Sequence, residues 1–227
     1  MGTPLHLDED GHRKVSEAVA AAEEHTAGEI VTVLAEQSDG YADVVLAWAA
    51  TVAFAALTVI TLFPDFYTGL VDHVVGRWSH EWSMREVLTL ALGVAVIKFI
   101  AMALLQLWRP LKFFLVPGRI KTARVHERAM ALFKVGAERR TRGRTGILIY
   151  LSMKEHRAEI LGDAAIAAKV PPETWGQAMA DMLEHIGSGH IADGMVAGIR
   201  DVGMILAEHF PRAEDDVNEL PDRLIEL

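Results

Sequence analysis

The stretch at residues 44–63, VVLAWAATVAFAALTVITLF, contains no charged residue, and a second apolar stretch at residues 87–108, VLTLALGVAVIKFIAMALLQLW, follows it. A helix rises about 1.5 Å per residue, so about 20 apolar residues cross a hydrocarbon core about 30 Å thick. The alternative of two buried helices in a soluble core is disfavoured, because soluble helices seldom stay apolar on every face. We therefore predict two transmembrane helices joined by an extracytoplasmic loop at residues 64–86.

The composition predicts a water-soluble domain beside this hairpin. Hydrophobic residues make up 51% of the chain and charged residues 23%, and the mean hydropathy of +0.21 is high for a soluble protein. The chain has no cysteine, which excludes disulfide and thiolate chemistry. Its first residues, MGTPLHLDEDGHRKV, lack the basic start and apolar centre of a signal peptide. The first span is therefore expected to act as the insertion signal.

Two polar residues, Lys98 and Gln106, interrupt the second span. Lys98 lies about 15 Å from either end of the predicted helix, where an unpaired charge costs at least about 2.5 kcal/mol. We expect Lys98 to mark an interior face. A hydroxyl, a backbone carbonyl, a second subunit or another membrane protein would meet it there, unless the charge is a tolerated misfit.

Basic residues are distributed unequally around the two spans. The loop at 64–86 has only Arg77 and Arg85, whereas a run of basic residues follows the second span: Arg109, Lys112, Arg119, Lys121 and Arg124. Cytoplasmic flanks retain such residues, so both termini are predicted to face the cytoplasm. The basic run is expected to bind anionic lipid head groups. The arginines at positions 139–144 have an alternative role, that of complementing the carbonyls at a helix end. No nucleic-acid partner is expected, because the interleaved aromatic residues of single-strand binders are lacking.

The soluble part alternates between helical and strand patterns. A helix beginning at Asp8 precedes the short apolar strand IVTVLA at residues 30–35, and a lone strand needs partners for its backbone groups. Those partners are expected beyond the second span. There the patterns predict helices at 120–142, 171–186 and 191–210 and strands at 145–152 and 156–161. We predict a single α/β domain in two parts, at residues 8–40 and 118–211, with a polar acidic tail at 212–227.

Three stretches resemble the TPM domain family: AGEIVTVLAE at 27–36, TGILIYLSMKEHRAEILGD at 145–163 and GHIADGMVAGIRDVGMIL at 189–206. The resemblance implies an α/β sandwich with a small central sheet and helices on both sides, interrupted here by a transmembrane hairpin of the kind found in bacterial membrane-bound relatives. It therefore implies the bacterial inner membrane. Some members are reported to bind calcium, and a plant member is described as an acid phosphatase. The acidic residues in family-like contexts are Glu29, Asp163 and Asp193.

The residues themselves leave two functions open. The chain has no GxSxG nucleophile elbow, no HExxH zinc motif and no P-loop, so no catalytic residues are assigned. The first hypothesis is a non-catalytic membrane accessory that binds an unidentified membrane protein or associates with itself through the hairpin. The second is a divalent-metal-dependent phosphatase in which Glu29, Asp163 and Asp193 hold an ion such as calcium. The three residues are otherwise ordinary solvated carboxylates.

Overall fold

The computed structural model describes residues 7–76, 81–138, 141, 143–212 and 218–227. The chain forms two compact units. A hairpin unit comprises Gly40–Pro117, and a sheet domain comprises Met1–Asp39 together with Gly118–Leu227. The sheet domain thus unites two parts of the chain that the hairpin unit separates.

The secondary structure is predominantly helical, with four strands in the described residues. In chain order the elements are α1 (Glu9–Glu23), β1 (Glu29–Ala35), α2 (Ala42–Leu62), α3 (Pro64–Val75), α4 (Met84–Leu105), α5 (Arg109–Leu115), α6 (Gly118–Gly136), β2 (Gly146–Ser152), β3 (Arg157–Gly162), α7 (Ala164–Lys169), a 3₁₀ turn (Pro172–Trp175), α8 (Gly176–Gly187), α9 (Ile191–His209) and β4 (Ile225–Glu226).

The strands form one sheet in the order β3-β2-β1-β4. β1 pairs in parallel with β2, from Glu29 opposite Gly146 to Ala35 opposite Ser152. β4 is parallel to β1, and β3 is antiparallel to β2. All seven residues of β1 and all seven of β2 are buried, as expected for parallel strands covered on both faces. The prediction that the partners of β1 lie beyond the second span is confirmed.

Helices cover both faces of the sheet. On one face, Ile30 and Leu34 of β1 join a core with residues of α1, α8 and α9. On the other face, Val31 and Val33 pack with residues of α6, including Phe133. The alternation of side chains along a strand produces this division. The predicted α/β sandwich, with a small central sheet and helices on both sides, is confirmed.

Helices α1 and α9 approach closely because each carries a small residue at the contact. A Cβ added at Gly203 of α9 would lie 2.7 Å from the Cβ of Ala22 in α1, a separation that real Cβ atoms do not adopt. Gly203 therefore sets the distance between two helices of the larger core.

The end of the chain folds back onto the sheet domain. Leu220 and Leu224 are 7% and 5% exposed, the Leu227 amide donates to the Leu34 carbonyl at 3.0 Å, and the Glu36 amide donates to the Leu227 carbonyl at 2.9 Å. Residues 213–217 of the predicted acidic tail lie outside the described residues. The rest of the tail supplies an edge strand that is too short to produce an alternating pattern in the sequence.

In the hairpin unit, α2 and α4 pack against each other. With 21 and 22 residues, these helices are long and apolar enough to span a bilayer. α4 begins three residues before the apolar stretch, because Ser83 and Glu86 form a capping box there.

The connection between these two helices contains a third helix. The sequence analysis treats residues 64–86 as a loop, whereas α3 occupies Pro64–Val75, with proline in its first turn and Gly76 at its C-terminal cap with φ 73°. Both residues are standard helix boundaries. Residues 77–80, including Arg77, lie outside the described residues.

We predict that Gly203→Val lowers the melting temperature of the full chain in detergent. Overpacking costs about 1–3 kcal/mol, and the added side chain would force α9 away from Ala22. Gly187→Ala in α8 is the control, since a Cβ there meets nothing within 4 Å. Equal melting temperatures for Gly203→Val and the wild type would show that the contact is not closely packed.

Candidate functional site

The three carboxylates predicted from the resemblance have different surroundings. Glu29 is buried at the start of β1, and its Oε2 accepts a hydrogen bond from the Leu220 amide at 3.0 Å. Asp163 is buried and caps α7, accepting from the Ala164 amide at 2.6 Å. Asp193 is exposed in the first turn of α9, with an oxygen 3.9 Å from Lys14 Nζ.

These carboxylates do not assemble into a ligand set. Among the described residues, no group of three or more His, Cys, Asp or Glu side chains is arranged to hold a metal ion. The calcium site therefore stays a prediction, and so does the phosphatase chemistry that depends on it. The described residues provide no ligand set for the ion.

An acidic cleft that the sequence analysis did not identify lies at the start of β1. Glu23, the last residue of α1, accepts from the Ile30 amide at 2.7 Å through Oε1 and from Asn218 Nδ2 at 3.3 Å through Oε2. Asn218 also donates to Asp222 at 2.7 Å. The cleft has a volume of about 180 Å³ and is lined by Ala20, Glu23, Glu24, Glu29, Arg212, Asn218 and Asp222. Three of these residues come from the end of the chain, so the sequence has no local pattern for it.

Glu23 is the perturbed acid of this cleft. Burial first, and then the negative charges of Glu29 and Asp222, raise its pKa from 4.5 to about 8, against the opposing effect of the hydrogen bond from the Ile30 amide. Glu23 therefore carries a proton at neutral pH. The hydrogen bonds of the cleft hold Asn218 and Leu220 beside β1.

We predict that the stability of the full chain falls as the pH rises from about 4.5 to about 8. The folded state keeps the Glu23 proton across this range while the unfolded state loses it, so the unfolded state is favoured progressively. Thermal unfolding in detergent at several pH values is the measurement, and each kcal/mol shifts the midpoint by about 2–4 °C. Glu23→Gln removes this contribution.

The control for this experiment is Glu17→Gln, an exposed position on the same helix, which should retain the wild-type pH dependence. If the melting temperatures of Glu23→Gln and of the wild type change with pH in the same way, the pKa of Glu23 is not raised in the folded state.

A second polar cluster closes the opposite end of β1 and β2. Ser38 Oγ lies 2.9 Å from both the Tyr150 hydroxyl and Ser152 Oγ, and Ser152 donates to Glu155 Oε2 at 2.5 Å. Glu155 Oε1 accepts from the Ser38 amide at 3.0 Å. Burial raises the pKa of Tyr150, which favours the protonated form of its hydroxyl. The network joins the segment after β1 to the turn after β2.

The position of this network is one where α/β proteins often bind ligands, beyond the carboxyl ends of parallel strands. The sequence analysis predicts strands at 145–152 and 156–161 and assigns Ser152 and Glu155 no role. The sequence offered one signal for this network: a hydroxyl residue, Ser152, is followed three residues later by a carboxylate residue, Glu155. Glu155 is 2% exposed and accepts two hydrogen bonds, so its observed role is to hold the Ser38 segment in place.

We predict that Glu155→Ala destabilises the sheet domain by about 1–3 kcal/mol, because the Ser38 amide and the Ser152 hydroxyl lose their buried acceptor. Thermal unfolding of the full chain measures this loss. Glu173→Ala at an exposed position should leave the midpoint unchanged. An unchanged midpoint for Glu155→Ala would mean that water replaces the carboxylate without loss.

The polar residues of the second span have different environments. Gln106 is 2% exposed, and its Nε2 donates to the carbonyls of Val45 and Met102, both at 3.2 Å. It thereby joins the end of α4 to the start of α2. Lys98 is exposed within this unit, so the expected contact with a second subunit or another membrane protein stays a prediction. α4 ends at Leu105, about 10 Å beyond Lys98, which brings the ammonium closer to the helix end than the sequence analysis assumed.

The basic residues after the second span are divided between the two units. Arg109 and Lys112 belong to α5, and Arg119, Lys121 and Arg124 belong to α6. Lys112 donates to the Gly40 carbonyl at 3.1 Å. Arg124 forms an ion pair with Asp39 at 2.9 Å. Both side chains thus have local structural roles.

The expected role of the arginines at 139–144 at a helix end is tested only at Arg144. α6 ends at Gly136, and residues 139, 140 and 142 lie outside the described residues. The described residue, Arg144, has a positive φ of 53° and precedes β2.

Comparison with known proteins finds a matching family model and a solved structure of similar fold. A family model for the TPM domain matches residues 115–205. The NMR structure of the BA42 protein from the psychrophilic bacterium Bizionia argentinensis has a TM-score of 0.55 with 19% sequence identity, covering 97% of this chain and 95% of that chain. At this identity the similarity shows the fold alone. No curated protein gives a significant match.

Proposed function

Since this chain contains a TPM domain, we propose that it is an integral protein of the bacterial plasma membrane. The α2–α4 hairpin holds the TPM domain at the cytoplasmic surface. There the domain acts as a non-catalytic accessory that binds another membrane protein or a second copy of the chain.

The exposed apolar surface of α2 and α4 carries this proposal. Phe54, Leu92 and Ile97 are 68%, 65% and 66% exposed, and other large apolar side chains of both helices are exposed as well. An apolar surface of this extent is unfavourable in water, whereas lipid tails cover it without an energetic penalty. The backbone groups within the two helices are satisfied internally, as a bilayer requires.

The charges favour one orientation. Basic residues concentrate after α4, on α5 and the first turns of α6, and few occur between the two spans. Short translocated segments avoid lysine and arginine. With two spans, the two parts of the TPM domain lie on the same side of the membrane, which their common sheet requires.

The hydrogen bonds of the acidic residues support an accessory role over turnover. Asp163 caps a helix, Glu29 accepts from the returning end of the chain, and Glu155 holds the segment after β1. Carboxylates engaged in this way stabilise the fold. A binding role is therefore the simpler account of the domain.

The absence of cysteine permits a direct test of the orientation. Asp65→Cys lies in α3 between the spans, and Glu17→Cys lies in α1; both positions are exposed. In intact bacterial cells a membrane-impermeant maleimide should label Asp65→Cys, while Glu17→Cys should react only after permeabilisation. The reverse labelling pattern would invert the orientation, and recovery of the chain in the supernatant after ultracentrifugation would refute the membrane proposal.

The non-catalytic role is tested by phosphate release from p-nitrophenyl phosphate, with and without Ca²⁺ or Mg²⁺. We expect no release above background. Asp163→Asn is the matched variant, because asparagine also caps helices and should preserve the fold. Metal-dependent release by the wild type that this variant loses would establish the phosphatase instead.

A further inference from the structure

An open cleft of about 580 Å³ lies between α6 and the edge strand β3 of the sheet domain. Its polar lining consists of Arg119, Thr122 and His126 from α6, and Arg157 and Glu159 from β3. Neither hydrogen-bond network described above includes this surface.

Arg157 is held in position but retains hydrogen-bonding capacity. Its Nη1 donates to the His156 carbonyl at 2.9 Å, and its Nε lies 3.5 Å from Thr122 Oγ1. A guanidinium has five N–H donors in a planar fork. In the described part of the chain, the other three have no acceptor. The side chain is thus oriented by the protein and open to a ligand.

The charge of the cleft is positive. Arg119 has no ion-pair or hydrogen-bond partner among the described residues. The single acidic residue, Glu159, has its Oε2 3.4 Å from His126 Nδ1. Two arginines therefore outweigh one carboxylate, and the balance matches a ligand with a single negative charge.

We propose that this cleft binds the phosphodiester of an anionic membrane lipid, with Arg119 and Arg157 donating to its non-bridging oxygens. The arginine fork matches the spacing of phosphate oxygens, and a phosphodiester carries one negative charge. The cleft begins at Gly118, and α4 ends at Leu105, so a short connection ties it to the membrane helix. The choice of lipid over free phosphate rests on the proposed membrane insertion.

The test uses the full chain in an uncharged detergent, titrated with dioctanoyl phosphatidylglycerol while the melting temperature is followed. We expect a saturable increase. Arg157→Gln and Arg119→Gln should each raise the apparent Kd about fivefold, in line with the contribution of one basic residue at an anionic lipid surface. Arg200→Gln, an exposed arginine on α9, is the matched control and should bind as the wild type does.

Two parallel titrations identify the ligand source. Dioctanoyl phosphatidylcholine, whose phosphodiester is neutralised by choline, should bind more weakly in the wild type. Inorganic phosphate should raise the melting temperature less than phosphatidylglycerol does, and an equal increase would overturn the proposal that the ligand is a lipid.

Equal affinity for phosphatidylglycerol in all three arginine variants would overturn the site. A chain that proves soluble without detergent would refute membrane insertion, while the same titration would still report on the cleft.

Discussion

The parallel pairing of β1 with β2 is the constraint on which the rest of the structure depends. β1 is buried on both faces, so its amides and carbonyls have no access to water and need strand partners. The register that pairs Glu29 with Gly146 joins residues on opposite sides of the hairpin unit. The sheet domain can therefore form only when the chain before the hairpin meets the chain after it.

The hairpin satisfies this requirement because α4 returns the chain to the start of α2. Inside the hairpin unit, Gln106 joins the end of α4 to the Val45 carbonyl near the start of α2. Such a hydrogen bond is favoured in an apolar medium, where an unpaired amide is costly. The insertion is thus compatible with a continuous sheet, as insertions at surface connections generally are.

The two ends of the sheet differ chemically. At the start of β1, burial, with a smaller contribution from the charge of Glu29, raises the pKa of Glu23 to about 8. At the other end, Glu155 accepts from a serine hydroxyl and from the Ser38 amide. At each end, acidic side chains accept hydrogen bonds that keep a neighbouring segment of the chain in place. The sequence analysis groups Glu29 with Asp163 and Asp193 as ion ligands, and that grouping stays a prediction; it does not identify Glu23, because chain position does not report which side chains meet in the fold.

The sequence by itself determined the two apolar helices, the split α/β domain and its buried strands, because these follow from local periodicity and from the length a bilayer requires. Only the tertiary structure decided that the end of the chain becomes an edge strand, that Glu23 meets Glu29 and Asn218, and that Arg119 and Arg157 face one cleft. These contacts join residues far apart in the chain. Their energies depend on burial and distance, which no local pattern of side chains encodes.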